Sequence, residues 1–302
     1  MAVLPAHLVA TPVLERLTGE AGGVVLGAGA TAAWVELDGF VTVITTREVP
    51  LLPNAIALAA GSGALARPGV GPGAPARLAP GRVDLGTLRV TWDPTAPPPW
   101  DPTVPVPADA GPVSVARRGA ALLAALGVDP TLVAEPSELV RELARVGLPT
   151  AVDPDGAVGL RLLFRAVRER DPEPAAVGAR DLLGRGPGLT PEGDDLLAAV
   201  AGTLAVLGPV AGLDGAALTA ALDALAPVPG RTTALSATLL ALAAERRLVE
   251  PAGRLLDLGP GGEAAWPAAL SRLERLGHGS GRAYAAGIAA AAALLAAGTP
   301  VR

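Results

Sequence analysis

The stretch DPTAPPPWDPTVPVPAD (93–109) decides how the chain is divided. Proline fixes φ and withholds a backbone N–H, so this run can neither continue a helix nor lie inside a central strand. It is a boundary, and the hydrophobic period changes across it. Upstream, GVVLGAG (23–29), AAWVELDG (32–39) and FVTVITTREV (40–49) are alternating or continuously apolar over strand lengths, and RVDLGTLRVTW (82–92) alternates at period two. The intervening GSGALARPGVGPGAPARLAPG (61–81) reads as a long loop or a string of turns. Downstream the apolar spacing becomes helical, predicting helices over 113–126, 137–146, 157–170, 191–207, 214–226, 232–247, 263–276 and 281–297. The expected fold is α+β: a small β-barrel or sandwich over residues 1–105, then an alanine-rich α-helical bundle over 110–302.

Composition narrows the chemistry. The 302 residues include no lysine, glutamine or cysteine, one asparagine (Asn54) and two histidines, His7 and His278. A Schiff-base lysine, a cysteine nucleophile, a Cys/His zinc site and an ordinary P-loop are thereby excluded. The net charge of −5 is spread without a basic run and aromatic residues are 2% of the chain, which argues against nucleic acid as a partner. The absence of cysteine fits a reducing compartment, and the N-terminus lacks the basic and apolar regions of a secretory signal, so a cytoplasmic location is expected. The apolar run 283–295 is mostly alanine and short of a membrane span, predicting a tightly packed internal helix and no membrane association.

Within the helical half, GRGPGLTPEGDDLL (184–197) places four glycines and two prolines ahead of, or within the first turn of, an apolar helix. Thr190 is a good N-cap and Pro191 suits the first helical position. Gly186 and Gly188 precede the cap, while Gly193 in the first turn predicts a close approach to the backbone, because glycine there costs about 1 kcal/mol against alanine. Of the adjacent Asp194 and Asp195, pointing roughly 100° apart, one can serve the helix N-terminus and the other is left for a metal, a substrate amine or an arginine.

The same grammar recurs twice. PGRTTALSATLL (229–240) offers Gly230, Arg231, Thr232, Thr233 and Ser236, and GHGSGRAYAAG (277–287) offers His278, Gly279, Ser280 and Gly281. If return helices alternate with these three, all three beginnings lie at one end. Their amides would then form an anion site, with Arg185 and Arg231 adding charge and His278 able to donate to an anion or move a proton.

These three segments resemble the AllH-like family, associated with oxamate carbamoyltransferase. GPGLTP-x-GDD carries the resemblance most specifically, TTALSATLLALAA and LGHGSGRAYAAGI support it, and VTVITTREVPLLPNAIAL matches more loosely, with Asn54 at a Pro-Asn turn. The resemblance implies a subunit acting on carbamoyl phosphate and a small carboxylate amide such as oxamate, in allantoin breakdown, alongside AllG-like and FdrA-like subunits. By matched position it assigns binding roles to Asn54, Gly186, Gly188, Thr190, Gly193, Thr232, Thr233, Ser236, Gly279, Ser280 and Gly281. Glu192 and Ala283 depart from the family pattern.

The expected chemistry is positioning plus electrostatics without a covalent nucleophile. Asp194, Asp195, Arg231 and His278 are the expected catalytic residues. Asp194 and Asp195 are also the candidate ligands for Mg²⁺, and no organic cofactor is expected. Two rivals use the same residues: a non-catalytic binding or scaffold subunit, and a Mg²⁺-dependent phosphotransferase, which the missing lysine disfavours.

Overall fold

The computed structural model describes residues 1–95, 99–106, 110–147, 154–257, 262–277 and 279–298. The chain divides into two compact units, Met1–Pro102 and Thr103–Arg302.

The first unit contains β1 (Ala2–Ala10), α1 (Thr11–Arg16), β2 (Ala21–Ala28), β3 (Ala32–Leu37), β4 (Phe40–Thr45), β5 (Ala55–Leu58), β6 (Pro75–Ala79), β7 (Arg82–Leu85), β8 (Leu88–Thr91) and β9 (Pro99–Trp100). The strands form one sheet in the order β5-β4-β3-β2-β6-β7-β8-β1-β9, and an added β5–β1 pairing closes the first eight into a barrel. Closure depends on β1 serving two partners. Its first half runs parallel to β8 (Ala2↔Leu88 to Pro5↔Thr91), and its second half runs antiparallel to β5 (Ala6↔Leu58 to Val9↔Ile56). A register shift between Ala6 and Leu8 marks the bend, as a bulge does where a sheet must curl. Val35, Leu37, Ile44, Ile56, Leu58, Leu85 and Val90 are fully buried and make the core.

Barrel rather than sandwich is therefore the outcome, and four strands, β1, β5, β6 and β9, lie outside the segments read as strands from the sequence. β6 lies inside the stretch expected to be loop, because its PARLA core is short and flanked by glycine and proline. β9 falls within the proline-rich boundary. It is two residues long and pairs only with β1, the edge position that proline tolerates.

The second unit is helical: α2 (Pro112–Ala125), a 3₁₀ turn (Pro130–Ala134), α3 (Pro136–Arg145), α4 (Pro154–Glu169), α5 (Pro172–Leu182), α6 (Glu192–Leu207), α7 (Gly215–Ala224), α8 (Ala234–Ala244), α9 (Glu250–Leu256), a 3₁₀ turn (Gly262–Ala265), α10 (Trp266–Leu273) and α11 (Ser280–Ala297). α5 and α9 are absent from the sequence reading because PEP and EPAG look like breakers. Their prolines sit in first turns, where the missing N–H is not needed.

Every residue of α6 is buried, and α11 is buried along almost its whole length. α11 is long and apolar enough to cross a membrane, yet 78% of it is buried inside the protein. Small side chains permit this. A Cβ at Gly287 of α11 would stand 2.7 Å from the Ala199 Cβ and 3.0 Å from the Leu196 carbonyl oxygen of α6. On the opposite flank, Gly119 of α2 lies directly against the backbone of Ala293. Alanine and glycine thus let α2, α6 and α11 pack backbone to backbone, and the N-termini of α6 and α11 are drawn together.

Candidate functional site

The loop from α5 to α6 folds back over the end it has just left. Gly186 and Gly188 are exposed and adopt φ of 109° and 99°, the left-handed region that favours glycine. The N-cap of α6 is Pro191, with no side-chain cap, so the expected capping role of Thr190 does not hold. The carbonyl of Arg185 instead accepts the Gly193 amide at 3.0 Å, and the Thr190 hydroxyl turns away to share a hydrogen bond with Ser280 Oγ at 3.1 Å. The close approach at Gly193 comes from the protein itself: a Cβ there would overlap the carbonyl oxygen of Leu182 at the end of α5.

Three carboxylates occupy the first turn of α6, and all are buried: Glu192, Asp194 and Asp195. Acidic side chains at this end face the unpaired amides and the positive pole of the helix. Both oxygens of Asp194 are engaged, Oδ1 accepting the Gly184 amide at 2.7 Å and Oδ2 accepting the Thr232 hydroxyl. Burial pushes its pKa up, against the pull of Thr232, Gly184 and Ser236. Asp195 is less well served. Burial pushes it up to about 8, with the hydroxyls of Ser280 and Thr190 pulling down and the charges of Asp194 and Glu192 pushing further up. Its Oδ2 has no hydrogen-bond partner. The buried phenol of Tyr284, one turn into α11, is raised by burial and by the charge of Asp195. Tyr284 escaped the sequence reading, although as the single tyrosine of the chain, four residues beyond Ser280, it carried a usable signal.

The other two beginnings meet this one. Thr233 is the N-cap of α8: its Oγ1 accepts the Ser236 amide at 3.0 Å and donates to the Leu189 carbonyl at 2.7 Å, tying α8 to the glycine loop. Ser236, in the first turn of α8, is buried and its hydroxyl acts on Asp194. Gly279 is the N-cap of α11, and the Glu192 carboxylate lies on it so closely that a Cβ there would overlap Oε1. Gly281 is pressed against the Leu273 carbonyl that ends α10. Glycine at 279 and 281 therefore serves close backbone contacts.

The structure thus gathers Thr190, Gly193, Asp194, Asp195, Thr232, Thr233, Ser236, Gly279, Ser280 and Gly281 into one junction. Arg231 is directed elsewhere: its exposed guanidinium donates to the Arg180 carbonyl in the last turn of α5, at 2.6 Å. Asn54 belongs to the barrel unit, where it is buried and its Nδ2 donates to the Val41 carbonyl at 2.8 Å. His278 lies outside the described residues. Among the described residues, no group of three or more histidine, aspartate or glutamate side chains is disposed to hold a metal ion.

Chemically, the junction is rich in acceptors, buried, and able to exchange a proton near neutral pH through Asp195. No curated protein and no solved structure matches the chain. Residues 182–292, from the end of α5 into α11 and so the part of the chain that builds the junction, nevertheless match the family model described as oxamate carbamoyltransferase subunit AllH.

Proposed function

We propose that this chain is the AllH-like subunit of a cytoplasmic carbamoyltransferase, working with AllG-like and FdrA-like subunits on carbamoyl phosphate and a small carboxylate amide such as oxamate. One observation carries the reading. The family match spans all three helix beginnings, and those beginnings meet around two buried carboxylates: Asp194, bonded from the start of α8, and Asp195, beside the start of α11, one oxygen of which has no hydrogen-bond partner.

In carbamoyl transfer the acceptor nitrogen attacks the carbamoyl carbon, the bond from that carbon to the phosphate oxygen breaks, and the nitrogen gives up a proton. A carboxylate poised near neutral pH can take that proton. The anionic end of the substrate would face the exposed Gly186–Gly188 loop, away from the three acids, with the helix N-termini supplying the field that favours it. Mg²⁺ is poorly provided for here, because no group of three or more histidine, aspartate or glutamate side chains among the described residues is disposed to hold it. No step is routed through a metal.

A scaffold reading is favoured by the bonds that knit the junction together, Thr233 to Leu189 and Thr190 to Ser280. The two are separated by reconstituting the full chain with its partner subunits and following carbamoyl transfer between phosphate and oxamate. Asp195→Asn keeps the shape of the side chain and should lower kcat by about 10²-fold or more, the order expected for a proton-transfer group, while assembly is unchanged. Full activity in that variant assigns the junction to scaffolding.

A further inference from the structure

We propose that the groove between α7 and α8 is the surface on which a partner subunit docks, covering it with an apolar segment and sending a cationic side chain, arginine or lysine, to its acidic walls. The inference takes the existence of partner subunits from the proposed function and adds where one of them binds.

α7 has the composition of a core helix and the position of a surface one. Seven of its ten residues are alanine or leucine, spread around all its sides, and none of the ten is buried. The comparably apolar α6 is buried at every residue. A helix without a polar face is stable when it is covered, so α7 is built to be covered. Beside it runs a groove of about 370 Å³, lined by Leu222 of α7, Leu240 and Ala241 of α8 and Ala201 of α6. Pro227 also lines the groove, and the next residue, Val228, is exposed, so the apolar surface continues past it. An apolar surface of this kind, bordered by charged groups, marks an interaction site.

Charge selects the partner. The charged residues lining the groove are Asp223 and Glu245, one from each helix, and both are acidic. Asp223 lies in the last turn of α7 and Glu245 is the C-cap of α8, so each adds a carboxylate to the negative pole of its helix. A basic residue is the stabilising choice there, and neither helix has one in its last turn. Arg247 answers Glu245 in part, at 3.4 Å. Two helix C-termini and two acids on an apolar groove fit a side chain with a long apolar stem and a cationic head, which is arginine or lysine. A second copy of this chain presenting the same face would set acid against acid, so the occupant is a different subunit.

The full chain is mixed with the AllG-like and FdrA-like subunits, and assembly is followed by light scattering after size exclusion and by calorimetric titration, for wild type, Asp223→Arg and Glu245→Gln. Arginine suits the end of α7, so Asp223→Arg should keep an unfolding midpoint no lower than the wild type's. It should nevertheless raise Kd for one of the two subunits roughly 10- to 100-fold, the order expected when like charges are set together at an interface. Glu245→Gln should raise it about 2- to 10-fold, and about 0.5 M NaCl should weaken wild-type assembly more than that of Asp223→Arg. Unchanged affinity in both variants overturns the docking surface, while carbamoyl transfer by the same wild-type mixture leaves the proposed function standing. If the wild type binds neither subunit, the proposed function fails and this inference fails with it. A dimer of the chain alone that Asp223→Arg disrupts makes the occupant a second copy and overturns the assignment to a partner subunit.

Discussion

Replacing Asp195 by asparagine should remove a pH dependence from the stability of the helical unit, and the size of the effect follows from the burial of one side chain. Asp195 is held up to about 8 in the folded protein, from an ordinary value of 3.8. Between these two values the folded chain keeps a proton that the unfolded chain has lost. The stability this confers is fully present below pH 3.8, declines as the pH rises, and is exhausted once the pH passes the folded value. Each unit of pKa difference corresponds to about 1.4 kcal/mol, so from pH 5 to pH 8 the wild type should lose roughly 3–4 kcal/mol through this residue alone. Asparagine has the same outline and no proton to release. Urea unfolding of the full chain at pH 5, 6, 7 and 8, monitored by helical circular dichroism, should give midpoints that fall with pH in the wild type and much less in the variant. The residual slope belongs to Asp194, whose pKa is also raised by burial. Parallel profiles for the two proteins would refute the view that Asp195 is a buried, largely protonated acid at neutral pH.

Two further outcomes test the packing of the junction. Gly279→Ala drives a methyl into the Glu192 carboxylate, so its cost should be relieved in a Glu192→Ala background; a double-mutant cycle by urea unfolding should show a coupling of about 0.5–3 kcal/mol, and additivity would deny the contact. Thr232→Val removes a donor from buried Asp194 and should cost about 1–3 kcal/mol at neutral pH; because that donor holds the Asp194 pKa down, the variant's stability should also fall more steeply with rising pH than the wild type's.

Much of this arrangement is legible in the sequence, for reasons that differ between the two units. Helices with a dense apolar content, such as 191–207 and 281–297, announce themselves by spacing, and glycines ahead of them announce crowded beginnings. In the barrel, alternation locates β3, β4, β7 and β8, but the fact that settles barrel against sandwich is the pairing of β1 with β5, across about fifty residues of chain. No local pattern encodes that contact. β6 was hidden because a strand of five residues between glycine-rich turns lacks the length to show a period. At the junction, residue types were readable and partners were not. Arg231 beside a helix start suggests an anion ligand, whereas its guanidinium is spent on the Arg180 carbonyl. Gly193 correctly signals close approach, but spacing cannot say that the approaching group is Leu182 of the preceding helix.

The charges at the junction explain why a chain without lysine can hold three acids together in its interior. Each helix N-terminus presents the equivalent of about +0.5 charge, so the starts of α6, α8 and α11 together offer about +1.5. Glu192, Asp194 and Asp195, if all ionised, would present −3 in a place nearly closed to water. The dipoles and the donors around Asp194 can compensate one or two of these charges, and the remainder is removed by keeping a proton on the acid with the poorest donors, Asp195.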